Sequence, residues 1–419
     1  MKAVIDSGIL PRFVQFLGRQ EKPELQFEAA WALTNVASTE HTSVVVDMGV
    51  IPQLSVLLRS PNPDVREQSL WCLGNIAGDC IEYRDAILRT PGALDNLLLN
   101  INHPQNKNML RNATWALSNF ARGKPAPSLD VLAPAIPVVA QLLTSTDEEV
   151  ITDACWTMSY ISDGEDSRVK AVVDAGVTPH LVHLLNHPND TVITPALRSI
   201  GNLVSGRDEE TEAVIQAGAL ASLVALLRSS RRNIRKEACW ALSNVAAGTN
   251  AQVQALLTTN NSVTSLLENL EKGEWAVQKE ATWAICNIVT SATTPQIRTL
   301  VQMRTIEVLC TVLDKHNAGV VEVVLDALAK ILRVGEADDN QEFADKVEEC
   351  GGLDLIEALQ DHENDRIYQK AASLLTTYFE SEETEADADI APEVDANGTF
   401  GFGVTAPGGG DVFGFASVQ

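Results

Sequence analysis

The chain has 419 residues, of which 45% are hydrophobic, and it carries a formal net charge of −25. Such an acidic chain is a poor candidate for binding nucleic acid, and its charge favours a basic protein or peptide as partner. Length alone suggests two or three globular domains, and the sequence shows neither a signal peptide nor an apolar run long enough to span a bilayer.

A short stretch with Trp and Asn four residues apart returns along the chain at a nearly constant interval. Five copies are intact: WALTN from Trp31, WCLGN from Trp71, WALSN from Trp115, WALSN from Trp240 and WAICN from Trp283. Three degenerate copies carry Trp156 with Tyr160, Arg198 with Asn202, and Asp326 with Lys330. A period of about 42 residues predicts one solenoid of stacked helical units in place of separate globular domains.

Each repeat reads as three helices in chain order. The first ends at a glycine suited to a left-handed cap, at Gly8, Gly49, Gly176 and Gly218. The second begins with a first-turn proline, at Pro11, Pro52, Pro137 and Pro179. After a loop rich in Pro, Asn and Asp, the third helix carries the Trp and Asn positions. Three helices in about 42 residues predict an all-α, right-handed superhelical solenoid of armadillo repeats.

The repeats divide the chain into an ordered array and a tail. Eight repeats run from Met1 to about residue 340, and a ninth without the Trp–Asn pattern runs from Phe343 to Phe379. We therefore expect an armadillo array over residues 1–379. Residues 380–419 are acidic and then rich in Gly with scattered Phe, which predicts a disordered tail. The first repeat begins in an apolar helix without a polar cap, so we expect that upstream sequence is missing.

The third helix has two distinct faces. Counted from the Trp, positions −2, +2 and +5 are apolar at helical spacing, as in Ala29, Leu33 and Val36, and predict a core stripe. Positions −3, 0 and +4 fall on another face that core packing does not explain. The residues there are Glu28, Trp31 and Asn35; Gln68, Trp71 and Asn75; Asn112, Trp115 and Asn119; Glu237, Trp240 and Asn244; and Glu280, Trp283 and Asn287.

This second face is suited to holding an extended basic peptide. An Asn amide both donates and accepts, so it can bond a peptide backbone of any sequence. A Lys or Arg stem fits between neighbouring Trp rings and gains apolar contact and cation–π attraction. Carboxylates beside the rings select for cations: Glu28, Asp79, Asp153, Asp208, Glu237 and Glu280. The competing interpretation is structural, since a single Trp at helical spacing usually packs in a core and a single Asn often caps a helix.

From Met1 to about Phe379 the chain resembles importin-α (karyopherin-α), an armadillo family. The resemblance rests on the Trp–Asn ladder, the order of its degenerate copies, and blocks such as TPALRSIGNLVSG and EECGGLDLIEALQ. It implies a nuclear import adaptor that binds Lys/Arg-rich nuclear localisation signals of cargo proteins. It also implies transport with importin-β between cytoplasm and nucleus, and an export receptor on the last repeat. No cofactor, direct nucleic-acid contact or membrane insertion is implied.

The resemblance also implies two signal-binding sites, separated where the ladder fails at Tyr160 and Arg198. The major site would comprise Trp31, Asn35, Thr42, Gln68, Trp71, Asn75, Asp79, Asn112, Trp115, Asn119 and Asp153, with Asp79 pairing the key lysine and Thr42 helping to hold it. The minor site would comprise Arg198, Asn202, Val204, Thr211, Glu237, Trp240, Asn244, Glu280, Trp283 and Asn287.

Two features depart from the family pattern. The loop after Asn35 is shorter than usual and lacks a glycine, which affects a backbone carbonyl expected to bind the key lysine. The family's basic N-terminal segment, which recruits importin-β, has no counterpart in residues 1–30. We therefore expect the chain as written to bind cargo without bridging to importin-β, which would require that segment.

Other functions are weakly supported. A catenin-like junction or signalling scaffold is the main alternative, although grooves of that type are basic, and no constellation typical of an enzyme is visible.

His180, His183 and His187 share a helical face but lack carboxylate or Cys ligands at suitable spacing. Three Arg and one Lys between residues 231 and 236 predict a solvated rim, and two Phe-Gly clusters in the tail are weak evidence of nucleoporin likeness. The seven cysteines have no paired spacing and predict reduced core residues.

Overall fold

The computed structural model describes residues 2–337 and 341–379, together with the backbone of residues 393–394 and 400–401. Over the described array the chain forms nine repeats of three helices. The first helices are α1 (Lys2–Asp6), α4 (Thr42–Val46), α7 (Ile81–Arg89), α10 (Leu129–Leu132), α13 (Asp166–Asp174), α16 (Asp208–Gln216), α19 (Asn250–Thr258), α22 (Thr294–Gln302) and α25 (Glu342–Glu349).

The second helices follow each first helix after a tight turn. They are α2 (Leu10–Leu17), α5 (Val50–Leu57), α8 (Ala93–Asn102), α11 (Ile136–Leu142), α14 (Thr178–Leu184), α17 (Ala219–Leu226), α20 (Ser262–Lys272), α23 (Thr305–Cys310) and α26 (Gly352–Ala358). Short 3-10 turns at Ala133–Ala135 and Leu359–Asp361 adjoin the second helices of the fourth and ninth repeats.

The third helices stack side by side, and each contacts the next from one end of the array to the other. They are α3 (Pro23–Ala37), α6 (Pro63–Asp79), α9 (Lys107–Ala121), α12 (Glu148–Ser162), α15 (Asp190–Leu203), α18 (Arg232–Ala246), α21 (Trp275–Ser291), α24 (Ala318–Ala337) and α27 (Asp365–Tyr378). The all-α solenoid predicted from the period is therefore confirmed.

In eight of the nine repeats the turn between the first and second helices contains a residue of positive φ, and the fourth repeat has a 3-10 turn there instead. Gly49 has φ of +71° and Gly218 has φ of +85°, as the left-handed cap predicts. The seventh and eighth repeats lack this glycine and place Asn261 (φ +60°) and Arg304 (φ +66°) there. Asn tolerates this region better than most residues, whereas Arg adopts it at a cost.

The apolar stripe of the third helices forms the core. Leu33, Val36, Leu242 and Val245 are all fully buried, as their spacing predicts. This core is one continuous cluster along the array, because each repeat buries its apolar face only against its neighbours. All seven cysteines are free thiols, and five of them are buried in this core.

The tail expected to be disordered lies outside the described residues, except for two short antiparallel strands. Strand β1 is Glu393–Val394 and strand β2 is Phe400–Gly401, with Glu393 opposite Gly401 and Val394 opposite Phe400. The Phe-Gly pair at residues 402–403 and the cluster at 413–415 also lie outside the described part.

Candidate functional site

The Trp positions of the third helices present exposed or half-exposed rings along one surface, here called the Trp–Asn surface. Trp31 and Trp71 are 50% and 46% exposed, which is unusual for so large an apolar side chain. Trp115, Trp240 and Trp283 are half-buried. Every intact copy of the motif therefore leaves part of an indole ring open to a ligand.

The Asn side chains also join neighbouring repeats. From the second repeat onwards, each Asn in the motif donates through Nδ2 to a backbone carbonyl one residue before the corresponding position of the preceding repeat. The bonds are Asn75 to Thr34 (3.3 Å), Asn119 to Gly74 (3.2 Å), Asn202 to Ser159 (2.8 Å), Asn244 to Gly201 (3.5 Å) and Asn287 to Ser243 (3.0 Å). Asn35 instead donates to Trp31 of its own helix.

This finding changes the interpretation of the second face. The sequence suggested that packing does not explain it, whereas the structure gives its Asn residues a role in stacking the repeats. One Nδ2 hydrogen is used in this way, and an amide has a second N–H and a carbonyl oxygen with two lone pairs. The same side chain can therefore stack repeats and still offer a donor and an acceptor to a ligand.

Four residues predicted for the major site meet in one pocket between the second and third repeats, here called the Asp79 pocket. Asn75, Asp79, Trp115 and Asn119 line it. Ala37 at the end of α3 and residues 38–40 of the following loop also line it, so the shortened loop still reaches the pocket. The pocket thus combines a carboxylate, two amides and an indole, which suits an ammonium group on an apolar stem.

Thr42 lies next to Asp79. Its hydroxyl has three acceptors within reach, the carbonyls of Thr39 (2.9 Å) and Ala37 (3.2 Å) and Asp79 Oδ1 (3.3 Å), and its single proton is shared among them. Thr42 is buried and Asp79 is exposed, so only the carboxylate is presented outward. The hydroxyl therefore links the loop after α3 to the acid of the next repeat.

The remaining residues predicted for the major site do not line this pocket. Gln68 is buried and donates to Thr34 Oγ1 (2.8 Å), while Asn112 donates to Glu67 Oε1 (3.1 Å). Asp153 lies two repeats further on, on α12. Burial, together with the neighbouring Glu149 carboxylate, raises the pKa of Asp153 to about 6.

Sequence reasoning missed the other seven residues that line the Asp79 pocket: Ala37, Ser38, Thr39, Glu40, Gly74, Gly78 and Arg122. Glu40 adds a second carboxylate to the lining, and Arg122 adds a cation. The signal for Gly74 was present, since the residue before the motif Asn is Thr, Gly, Ser or Cys in every intact copy. A position that is always small indicates close approach of another part of the chain.

In the fourth and fifth repeats, where the Trp–Asn motif is degenerate, side chains of the chain itself pack against the Trp rings. Trp156 stacks on Tyr160 with ring centroids 5.8 Å apart. Arg198 lies over the ring of Trp240, 5.6 Å from its centroid, and donates to Glu237 Oε1 at 2.9 Å. Arg198 therefore holds the position, beside a ring and a carboxylate, that a ligand cation would take in an intact copy.

The other residues predicted for the minor site vary in accessibility. The side chains of Val204 and Thr211 are buried, and Thr211 Oγ1 donates to the Val204 carbonyl at 3.4 Å. Glu237 is also buried and pairs with Arg198 and Lys236 through Oε1, while its Oε2 has no hydrogen-bond partner. Glu280 is half-buried, and burial raises its pKa.

Two arginines of the basic cluster at the start of α18 form ion pairs with other repeats. Arg231 bonds Asp190 of the preceding repeat (3.0 Å), and Arg235 bonds Glu274 of the following one (2.7 Å). The Arg231 pair is exposed and is worth little by itself, whereas the side chain of Arg235 is only 18% exposed and is not part of a solvated rim. Among the described residues, no group of three or more His, Cys, Asp or Glu side chains is placed to hold a metal ion. No helix in the described part of the chain is long and apolar enough to cross a bilayer.

Comparison with known proteins first defines the class. The model of the armadillo/β-catenin-like repeat matches residues 2–38, 38–78, 127–163, 166–205 and 207–247, and that of the atypical Arm repeat matches residues 341–393. A solved engineered protein matches with a TM-score of 0.81 and 30% identity over 91% of both chains. A computationally designed armadillo repeat protein for modular peptide recognition matches with a TM-score of 0.54 and 31% identity, over 58% of this chain and 99% of that one.

Curated relatives then define the family. Importin subunit alpha-1b of Oryza sativa subsp. japonica is 44% identical over 99% of this chain and 79% of its own length. Importin subunit alpha-2 of Arabidopsis thaliana is 50% identical over 92% of this chain and 74% of its own length. The chain therefore belongs to the importin α family of armadillo-repeat nuclear import adaptors.

Proposed function

We propose that the Trp–Asn surface binds Lys/Arg-rich nuclear localisation signals as extended peptides. The Asp79 pocket is the single observation that carries this proposal, because it combines acid, amide and indole groups in one open site. A lysine stem would lie against Trp115 with its ammonium group at Asp79. Asn75 and Asn119 would bond the peptide backbone through the amide groups that repeat stacking leaves free.

The overall charge supports a basic ligand. A net charge of −25 attracts a cationic peptide from solution and raises its rate of association. The ladder is intact in the first three repeats and in the sixth and seventh, so we infer a major site on the former and a minor site on the latter. Arg198 at the edge of the minor site already pairs with Glu237.

The wider role follows from family membership as a proposal. We infer that the chain carries cargo between cytoplasm and nucleus together with importin-β, and that an export receptor contacts the ninth repeat. The Trp–Asn surface would bind cargo without catalysing a reaction. Contact with importin-β would require the basic segment that the family uses for it.

The test is a fluorescence-anisotropy titration with a labelled peptide that contains five consecutive Lys/Arg residues. We expect binding that weakens strongly between about 50 and 200 mM salt, since exposed charge pairs are screened over this range. A peptide of the same length with Gln at these positions should not bind. Binding that ignores salt, or that the Gln peptide matches, would overturn the proposal, and preference for an acidic peptide would favour a catenin-like scaffold.

A further inference from the structure

Two mid-helix glycines on the Trp–Asn surface lie directly under Trp rings of the next repeat. A Cβ atom added at Gly74 would lie 2.3 Å from Cζ3 of Trp115, and one added at Gly201 would lie 2.2 Å from Cζ3 of Trp240. Both distances are far below van der Waals contact. The rings of Trp115 and Trp240 therefore pack against the backbone of the preceding third helix, where any other residue would hold them away.

Helix geometry gives no reason for glycine at these two positions. Both lie inside regular third helices, and neither has the positive φ that favours glycine. Glycine weakens a helix interior relative to alanine. The close approach of the Trp ring is the feature of the structure that requires it.

The same two glycines also receive the Asn of the next repeat. Asn119 donates to the carbonyl of Gly74, and Asn244 donates to the carbonyl of Gly201. Each glycine therefore contacts both ligand-facing side chains of the following repeat. The Trp ring packs against its Cα atom, and the Asn amide donates to its carbonyl oxygen.

Other repeats use a residue with a side chain at this position. Thr34 occupies it before Trp71, and its hydroxyl is bonded to Ala30 O and to Gln68 Nε2. Trp71, which follows Thr34, is 46% exposed, whereas Trp115, which packs on Gly74, is more deeply buried than Trp71. Ser243 precedes Trp283 and donates to Trp240 O. Gly74 lies on α6, among the three consecutive intact copies of the motif, and Gly201 lies on α15, next to the intact copy of the sixth repeat.

We propose that Gly74 is a positioning residue that sets Trp115 back against the neighbouring helix and so opens the adjacent cation position. Gly201 sets Trp240 back in the same way, but there Arg198 takes the cation position. Gly74 lines the Asp79 pocket, where a ring held further out would narrow the space for a lysine stem. This inference rests on the proposed function, because it assigns the depth of the ring to ligand binding.

A double-mutant cycle tests the proposal. Gly74→Ala should weaken binding of the five-residue Lys/Arg peptide about tenfold, since overpacking displaces the ring. Gly319→Ala is the matched control, because a Cβ there meets nothing nearer than 3.7 Å, and its affinity should stay within about twofold of the wild type. In a Trp115→Ala background, Gly74→Ala should cause no further loss of affinity.

Thermal unfolding gives an independent readout. Gly74→Ala should lower Tm in the otherwise wild-type chain and raise it in the Trp115→Ala background, because the steric conflict is gone and the better helix former remains. If Gly74→Ala binds as the wild type does, or loses the same factor without Trp115, the positioning role is wrong. If the wild type does not bind the peptide, the proposed function fails, and the Tm cycle alone decides whether the glycine positions the ring.

Discussion

At the scale of single residues, Asp79 should decide whether a cation is accepted. Asp79→Asn keeps the shape of the side chain and removes its charge, so peptide affinity should fall by about ten- to a hundredfold. Asp79→Lys should be worse, because it places a like charge in the pocket. Anisotropy titration of both variants measures the effect.

Asp95 provides the control for the change in charge. It is exposed on α8, a second helix, and does not line the Asp79 pocket. Asp95→Lys alters the net charge of the chain by the same amount as Asp79→Lys and should change affinity little. Equal losses in the two Lys variants would mean that net charge acts in place of a specific site.

The ionised carboxylate of Asp153 should lower the stability of the fold and strengthen the binding of a basic peptide. Its pKa is raised from 3.8 to about 6, first by burial and then by Glu149. Between these values the native state holds a proton that the unfolded state has lost, so this group's contribution to stability falls as pH rises towards 6. Asp153→Asn should therefore raise the free energy of unfolding at pH 7.5 by about 3 kcal/mol and leave it nearly unchanged near pH 3.5.

The same carboxyl should make peptide binding depend on pH. With a pKa of about 6, Asp153 is mostly ionised at pH 7.5, where it would attract a cationic ligand, and mostly neutral at pH 5.5. Wild-type affinity should decline as pH falls from 7.5 to 5.5, and Asp153→Asn should show a smaller decline from a weaker starting value. Urea unfolding and anisotropy at matched pH values measure both effects. A variant that is no more stable at pH 7.5 would contradict the raised pKa.

At the scale of the helix, the Asn positions should serve stacking and binding together. Asn75→Ala removes the bond to Thr34 O and also the amide offered to a ligand. We expect about 1 kcal/mol less stability and a tenfold loss of affinity for a short basic peptide, in line with the net worth of a hydrogen bond.

Asn202 separates these two roles. It is buried and bonds Ser159 O and Ser162 Oγ, at a copy of the motif that lacks its Trp. Asn202→Ala should reduce stability at least as much as Asn75→Ala and leave the affinity of a short peptide in the major site unchanged. If both variants lose affinity equally, the Asn ladder acts through the fold alone.

The helices could be predicted from sequence because their signals are local. The 42-residue period, the left-handed Gly49 and Gly218 and the apolar stripe through Leu33 each depend on a few neighbouring residues. The contacts of Gly74 with Trp115 and of Asn75 with Thr34 could not be predicted in the same way. They depend on how closely two third helices approach, which the pattern of one helix does not contain.

At the scale of the whole molecule, the two halves of the Trp–Asn surface should differ in affinity. The three intact copies from Trp31 to Asn119 are consecutive and include the Asp79 pocket, whereas the later pair adjoins the Arg198–Glu237 ion pair. For a short monopartite signal, Trp283→Ala with Asn287→Ala should weaken binding less than Asn75→Ala does. Isothermal titration of the two variants with the same peptide measures the order, and the reverse order would place the stronger site on the sixth and seventh repeats.

The most direct test of the central claim is to locate the bound peptide on the chain. A Lys/Arg-rich peptide with one photo-crosslinking residue would be irradiated with the protein, and the adducts mapped by mass spectrometry. We predict adducts on the third helices within residues 71–79 and 112–119, lost when excess unlabelled peptide competes. Adducts on second helices, such as α8 at Ala93–Asn102, with none on the Trp–Asn surface, would contradict the account.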